Sequence, residues 1–283
     1  MNAPTDPFSL LEVEPIVSGP GLYPNLSNHA YHSGPGISKS GLDMIAHSPS
    51  MYPWSKAAPV HKEKLQALDF GTALHCWLLE PEEFDKQFIK LPEIDRRTNA
   101  GKAEYGEFCI AAEESDQILI TADDFEKLKV MRDSVMAHPV ARWIFEQPAV
   151  NESSIYWIDQ QTEELCRIRP DRMLTEQPII VDVKKVEGLD RFERHVAEFR
   201  YHVQDAMYSE GYFQHFGNHP QFWFLAVSST VSAGRYAVDV VEIPQDWKQD
   251  GHSTFRRDLN TYHHCRQNDD WLHIRTLERP RWA

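Results

Sequence analysis

Long apolar runs are missing from this sequence, and so are paired cysteines and an excess of basic charge. No stretch stays apolar for the roughly 20 residues that a helix needs to cross a bilayer, so no membrane span and no membrane partner are expected. The N-terminus, MNAPTDPFSLLEVEP, lacks the basic flank and apolar stretch of a secretory signal, and a cytoplasmic location follows as the expectation. The four cysteines, Cys76, Cys109, Cys166 and Cys265, include no CxxC pair. That spread argues against a zinc ribbon, an iron–sulfur cluster and a disulfide framework. Free thiols in a reducing compartment are the simpler expectation. The third lack bears on partners. Lys and Arg number 29 against 43 Asp and Glu, a formal net charge of −14. Nucleic-acid binders usually carry a basic surface that displaces counterions from phosphates. Net charge does not fix where charges sit, however. Carboxylates gathered around divalent cations, with bases concentrated in one groove, are compatible with an acidic exterior.

What is present is the balance of a globular protein. At 283 residues, 41% hydrophobic and 25% charged, the chain can bury a sizeable core. Residues 1–22, rich in Pro and Gly and without periodicity, are expected to form a flexible arm. Residues 23–283 are expected to form one domain, with a helical elaboration over 23–148 and a core over 149–283. Ser38 is placed to cap a short helix that ends before Pro49. Phe70, Leu74, Trp77 and Leu78 recur at helical spacing. Two more helical patterns cover about 102–114 and 121–145, the second opened by Thr121 as a cap. After Pro148 the texture changes to short β-branched or alternating runs, ESSIYWID, ELCRIRP and PIIVDVKKV, which read as strands. A helical stretch over about 189–216, read as a helix pair, two strands and a final helix over about 244–268 follow. The fold class implied is α/β, a central mixed sheet flanked by helices.

One segment concentrates charge inside apolar surroundings. In RPDRMLTEQPIIVDVKK, residues 169–185, Asp182 interrupts the run Ile179, Ile180, Val181, Asp182, Val183. Lys184, two residues on, shares its face of the strand. A hairpin would bring Asp171, after Pro170, beside them. Two carboxylates and an ammonium at the edge of an apolar sheet suit Mg²⁺, a hard cation that prefers oxygen ligands. They also suit phosphodiester hydrolysis, in which such cations neutralise the phosphate and generate the nucleophile.

Pro170-Asp171 followed by Asp182-Val183-Lys184 resembles the PD…(D/E)XK signature of restriction-endonuclease-like nucleases, in its Asp form. Gly71-Thr-Ala-Leu-His75 resembles the helix of RecB-type nucleases that supplies a metal-ligating His, and Gln204-Asp-Ala-Met-Tyr208 resembles their Q-x3-Y motif. Glu152 stands where an acidic residue is common. Over about 26–283 the stretches GPGISKS, LEPEEF, DRRTNAGK, ESSIYW, FRYHVQDAMYSEGY and the terminal PRWA resemble the C-terminal nuclease domain of RecE-type exonucleases. The resemblance implies a PD-(D/E)XK fold and Mg²⁺-dependent (Mn²⁺ as substitute) 5′-to-3′ digestion of double-stranded DNA, leaving 3′ overhangs for recombination by annealing. It also implies a ring-shaped homotetramer and a RecT-type annealing partner. On it, His75, Asp171, Asp182 and the Val183 carbonyl hold metal, and Lys184 orients or helps to deprotonate water. Gln204 and Tyr208, four apart on one helix face, position water, Lys184 or a phosphate. Arg96, Arg97 and Arg200 grip the DNA backbone.

Each residue also has a structural reading. Lys184 and Lys185 could be a solvated strand end, Asp171 a turn residue, His75 a satisfied core His, and Glu152 an ordinary edge-strand acid. Gln204 and Tyr208 could line a packed helix, and single exposed arginines are usually solvated. Asp182 resists this treatment, because a carboxylate inside an apolar strand is costly unless paired or metal-bound. Endonuclease or structure-specific cleavage, and a non-enzymatic DNA-binding module, remain the competing functions.

Overall fold

The computed structural model describes residues 16–59, 70–277 and 279; residues 1–15 of the expected arm and the terminal PRWA lie outside them. The part of the arm that is described is not all loose. Gly21–Tyr23 form strand β1, which pairs antiparallel with β5 (Ser154–Ile158). The far edge of β5 would otherwise expose unpaired N–H and C=O groups, and the chain entry fills it.

Three short helices follow, α1 (Asn28–Ser33), α2 (Lys39–His47) and α3 (Met51–Ala57). Ser38 caps α2 as expected, its Oγ accepting from the Gly41 N–H at 3.3 Å. Helix α4 (Phe70–Leu79) carries the GTALH segment and buries Ala73, Leu74, Cys76, Leu78 and Leu79. Beyond it lie α5 (Phe84–Gln87), β2 (Phe88–Lys90), α6 (Asn99–Ser115) and β3 (Ile118–Ile120), with β2 and β3 paired in parallel. Those two strands, three residues each, are too short to leave a periodic signal.

The helix expected over 121–145 is two. Helix α7 (Ala122–Ala137), capped by Thr121, ends at His138, and α8 (Pro139–Glu146) begins there. Pro139 lacks the N–H needed to continue α7 but suits the first position of a new helix. The His138 ring accepts from the Ala141 N–H at 3.2 Å and caps it.

The core is a long two-stranded ribbon that changes sheet halfway. One arm is β4 (Ala149–Asn151) running into β5; the other is β6 (Leu165–Ile168) running into β7 (Arg172–Leu174). β5 pairs with β6 and β1 in a three-stranded sheet. β4 and β7 join β8 (Ile179–Val186), β9 (Gln221–Ser232) and β10 (Arg235–Val241) in a five-stranded sheet of order β10-β9-β8-β7-β4. The bend falls at Glu152 and at Arg169-Pro170-Asp171. Glu152 takes a left-handed conformation, φ 47°, and its N–H donates to the Asp171 carbonyl at 3.1 Å. Such a break re-aims side chains, and both acids lie on it.

β8 and β9 run parallel over eight register pairs. Their crossover passes through a 3-10 turn, Leu189–Arg191, then α9 (Phe192–Glu198) and α10 (Tyr201–Phe216), the helix pair expected over 189–216, divided at Phe199 and Arg200. Helix α11 (Gln245–Asn268) closes the fold against α10. Its approach needs glycine: a Cβ on Gly251 would lie 2.1 Å from the His202 carbonyl oxygen.

Strand alternation divides the core in two. Ile180 and Val186 face a cluster with Val203, Met207, Phe255 and Leu259, on the α10 and α11 side. Ile179, Val181 and Val183 face a second cluster with Leu74, Leu78, Leu128 and Ile144, on the α4, α7 and α8 side. Asp182 and Lys184 belong by parity to the α10 face.

Candidate active site

The β7–β8 hairpin brings Asp171 to β8, as the sequence leads one to expect. One carboxylate oxygen of Asp171 accepts from the Val183 N–H at 2.6 Å, so the acid is fixed by the strand it faces. Asp182 is buried at 1% exposure, where an unpaired carboxylate would be prohibitive. Its oxygens are held by Lys184, whose Nζ lies 2.5 Å from Oδ2, and by the Gln204 side-chain amide. Lys184 also stands over the Tyr201 ring, 4.6 Å from its centroid. Gln204 and Tyr201, both on α10, therefore clamp the Asp182–Lys184 pair from above.

His75 enters from the opposite layer. Its Nε2 lies 2.8 Å from the Val183 carbonyl oxygen. A carbonyl can only accept, so Nε2 carries the proton and the neutral ring leaves its Nδ1 lone pair free. Nδ1 points toward Asp171, 3.5 Å from Oδ2. Glu152 completes the group. Ligand atoms of His75, Glu152 and Asp171 lie within 4.8 Å of one another. Glu152 is steered by Arg169, whose Nε donates to it at 2.8 Å while the same guanidinium holds the Leu26 carbonyl at 2.7 Å.

The electrostatics agree with the geometry. Burial, with Asp182 nearby, pushes the Asp171 carboxyl well up. Burial and the Asp171 charge push Glu152 up to about 7. Burial pulls His75 down, which favours the neutral ring with its lone pair. Burial opposes the charge on Lys184, but Asp182 and Asp171 outweigh it and its pKa rises. Lys184 is thus held as a cation rather than as a base. Two converging carboxylates that repel each other, beside a neutral imidazole lone pair, form the donor set a divalent cation would relieve. The residues fit a hard divalent metal, with His75, Glu152 and Asp171 as its side-chain holders. The Val183 carbonyl also meets the His75 ring, and Asp182 meets Lys184 and Gln204 while its Oδ2, ion-paired with Lys184, makes no hydrogen bond, so both stay candidate holders beside these three.

The group opens into a cleft of about 530 Å³ lined also by Gly71, Thr72, Glu80 and Tyr208. Tyr208 packs edge-on against Phe222, and burial raises its phenol well above the usual value, so it stays neutral. Arg200 lies outside this cleft, beside a second one that Lys184 and Gln204 also line. Its guanidinium is tied to Asp43 at 2.9 Å and to Asp258. Arg96 stacks over Tyr105, 4.0 Å from the ring centroid, in a third cleft, and the exposed Arg97 lies beside it in sequence.

Several supporting residues escape sequence reasoning. Arg172, beside Asp171, buries its guanidinium on the Ile144, Phe145 and Gln147 carbonyls and on Asn151 Oδ1. It satisfies the carbonyls left open at the end of α8. Arg167 does the same for the end of α1, holding the carbonyls of Tyr31, His32 and Gly34. The available signal was the density of arginines in CRIRPDR, on strands otherwise apolar.

Comparison with known proteins bears on the fold and the family. No curated protein matches the chain. A crystal structure of a candidate exonuclease from Eubacterium rectale superposes with a TM-score of 0.56 at 16% identity, covering 90% of this chain and 95% of its own. That likeness speaks for the fold. A second solved structure, SSO0001, covers 77% of this chain and 84% of its own at 12% identity, but its TM-score of 0.26 carries no argument. The family described as "PDDEXK-like domain of unknown function (DUF3799)" matches residues 38–273, a span that includes every acid, the lysine and the histidine of the site. This chain belongs to that PDDEXK-like family.

Proposed function

We propose that the protein is a Mg²⁺-dependent exodeoxyribonuclease that digests double-stranded DNA from an end. The observation that carries the reading is the meeting, at one bend of the β-ribbon, of His75, Glu152 and Asp171 with the Asp182–Lys184 pair on β8. A divalent cation held there would neutralise the phosphodiester and acidify a water molecule. The chain's own groups do the rest. Lys184, kept protonated by Asp182 and Asp171, orients the attacking water and stabilises charge that develops on the phosphate. Gln204 holds Asp182, so that Lys184 keeps its direction. Tyr208 walls the cleft as a neutral phenol.

Attack from 5′ ends toward 3′, with 3′ overhangs left for annealing, rests on the resemblance of the sequence to RecE-type nuclease domains. A ring of four copies and a RecT-type annealing partner rest on the same resemblance. Enclosure by a ring would offset the weak electrostatic grip of a chain with net charge −14. No helix among the described residues is long and apolar enough to cross a membrane.

The decisive experiment digests a linear duplex labelled at one 5′ end, with Mg²⁺ and with EDTA, beside a closed circular duplex. Mg²⁺-dependent release of the label as mononucleotide, with the circle untouched, is the expected result. Cutting of the circle would replace the exonuclease reading with an endonuclease one. Failure to cut either would leave a binding module with a nuclease fold.

A further inference from the structure

Lys184 lines two clefts, not one. Besides the cleft that holds the carboxylates, it borders a second of about 660 Å³. We infer that this second cleft holds an unpaired nucleotide chain, with the Phe199 ring stacking on a base next to the phosphate cut beside Lys184. The inference rests on the nuclease reading and assigns a second part of the same site.

Charge is the first argument. Lys39, Arg200 and Arg257 join Lys184 around the cleft, against Asp43 and Glu198. Lys39 and Arg200 are paired with Asp43, Arg200 and Arg257 with Asp258, and Lys184 with Asp182, so Arg257, whose side chain is 65% exposed, is the cation that the cleft presents most openly to solvent. A polyanion crossing the site would find its screening there. The second argument is a platform. Phe199 is a large apolar side chain left 49% exposed. It stacks on Tyr201, ring centroids 5.7 Å apart and planes 29° apart, and Tyr201 stacks in turn on the buried Phe224 at 5.6 Å. Tyr201 is also the ring beneath Lys184, so the column is anchored to the reacting centre. Exposed rings along a basic groove are how proteins hold single-stranded nucleic acid, because every base offers a π-face.

The backbone supplies the third. Arg200 adopts a left-handed conformation, φ 56°, which a non-glycine residue takes only when its surroundings hold it. Its side chain is fastened to Asp43 on α2 and Asp258 on α11, and Lys39 donates to the Phe199 carbonyl at 2.7 Å. This break between α9 and α10 is what leaves Phe199 on the surface beside Lys184.

The test uses single-stranded oligonucleotides carrying 2-aminopurine at successive positions, bound in Ca²⁺ by the full chain and by F199A, F199W and R257E. The wild type is expected to quench the probe at one position. F199A should lose that quenching and bind about tenfold more weakly, while F199W should keep both. R257E should bind more weakly with its quenching position unchanged. Circular dichroism melting of F199A confirms the fold, since the ring is half-exposed. Equal quenching and affinity in F199A and the wild type would overturn the inference. So would a change of oligomeric state in F199A with oligonucleotide binding intact, which would mark the cleft as a surface between copies. Mg²⁺-dependent digestion of linear duplex, run in parallel, separates the two readings. A wild type that cuts, with F199A binding like it, sinks only the cleft assignment. A wild type that quenches but never cuts sinks the nuclease reading and keeps the cleft. A wild type that neither cuts nor binds sinks both.

Discussion

Helix α4 reaches β8 from one face of the sheet with five buried apolar residues and a single side chain for the site, His75. Helix α10 reaches the other face with His202, Gln204 and Asp205 buried among Val203 and Met207. The first helix is seated by packing that is indifferent to chemistry. Its His75 then needs only one backbone carbonyl to be aimed. The second is seated partly by polar contacts, so its position and the charge state of β8 depend on each other. The candidate metal-holding group of His75, Glu152 and Asp171 belongs mainly to the ribbon bend and the α4 face. The Asp182–Lys184 pair belongs to the α10 face. Perturbations from the two sides should therefore separate metal binding from turnover.

The largest expected effect breaks the α10-side pair. D182N removes the charge that holds Lys184 while keeping the side chain's size, and cleavage should fall by about a thousandfold. K184A should cost about a hundredfold or more in kcat, with Mn²⁺ affinity measured by calorimetry nearly unchanged. If K184A abolished metal binding instead, the division between the two faces would be wrong. H75A, on the α4 side, should do the opposite. About tenfold more Mg²⁺ is expected to be needed for half-maximal cleavage, with kcat at saturating metal reduced less.

Two smaller effects concern stability. R172A leaves the carbonyls at the end of α8 without their buried partner, and a loss of about 2–3 kcal/mol in urea unfolding is expected. On the α10 face, burial pushes Asp205 up to about 6, and Lys248 and Ser209 offset this only in part. The folded protein thus takes up the proton more readily than the unfolded chain, whose carboxyl titrates near about 4. The stabilising effect of a neutral Asp205 is complete below about pH 4 and is lost as pH rises through about 6. D205N, which keeps a neutral group at all pH, should stabilise the fold by about 1–3 kcal/mol near pH 7. Its advantage should vanish in acid. A D205N protein no more stable than the wild type at neutral pH would show that Lys248 compensates the charge fully.

Much of this was legible before the fold. Asp182 and Lys184 could be read because alternation in a strand is a local rule, and because a carboxylate in an apolar run demands a partner. His75 could be read only through the GTALH resemblance, since a lone His on an apolar helix has no local signature. Ser38 and Thr121 announced their helices correctly, because capping acts over three residues. The break at His138-Pro139 was also written locally, but the periodicity of α7 masked it. Less legible was the division of labour among the acids. Glu152 looked like a common edge-strand residue, yet its carboxylate lies within 4.8 Å of the ligand atoms of His75 and Asp171, while Asp182 pairs with Lys184 and Gln204. Which carboxylate faces which partner depends on the bend at Glu152 and Asp171, a property of two strands together. The roles of Arg172 and Arg167 were hidden for the same reason, because the carbonyls they satisfy lie more than twenty residues away.

The sequence by itself determined the α/β class, the strand that carries Asp182 and Lys184, the hairpin partner Asp171, and the helices bearing His75 and Gln204. These follow from periodicity, capping and the cost of burying charge, all of which act within a few residues. Only the tertiary structure decided that the ribbon changes sheet at Glu152 and that a histidine from one layer and a glutamine from the other meet across β8. It also decided that Lys184 borders two clefts, one with the carboxylates and one beside Phe199. Those outcomes depend on which surfaces pack against which, and packing joins residues that have no local term in common.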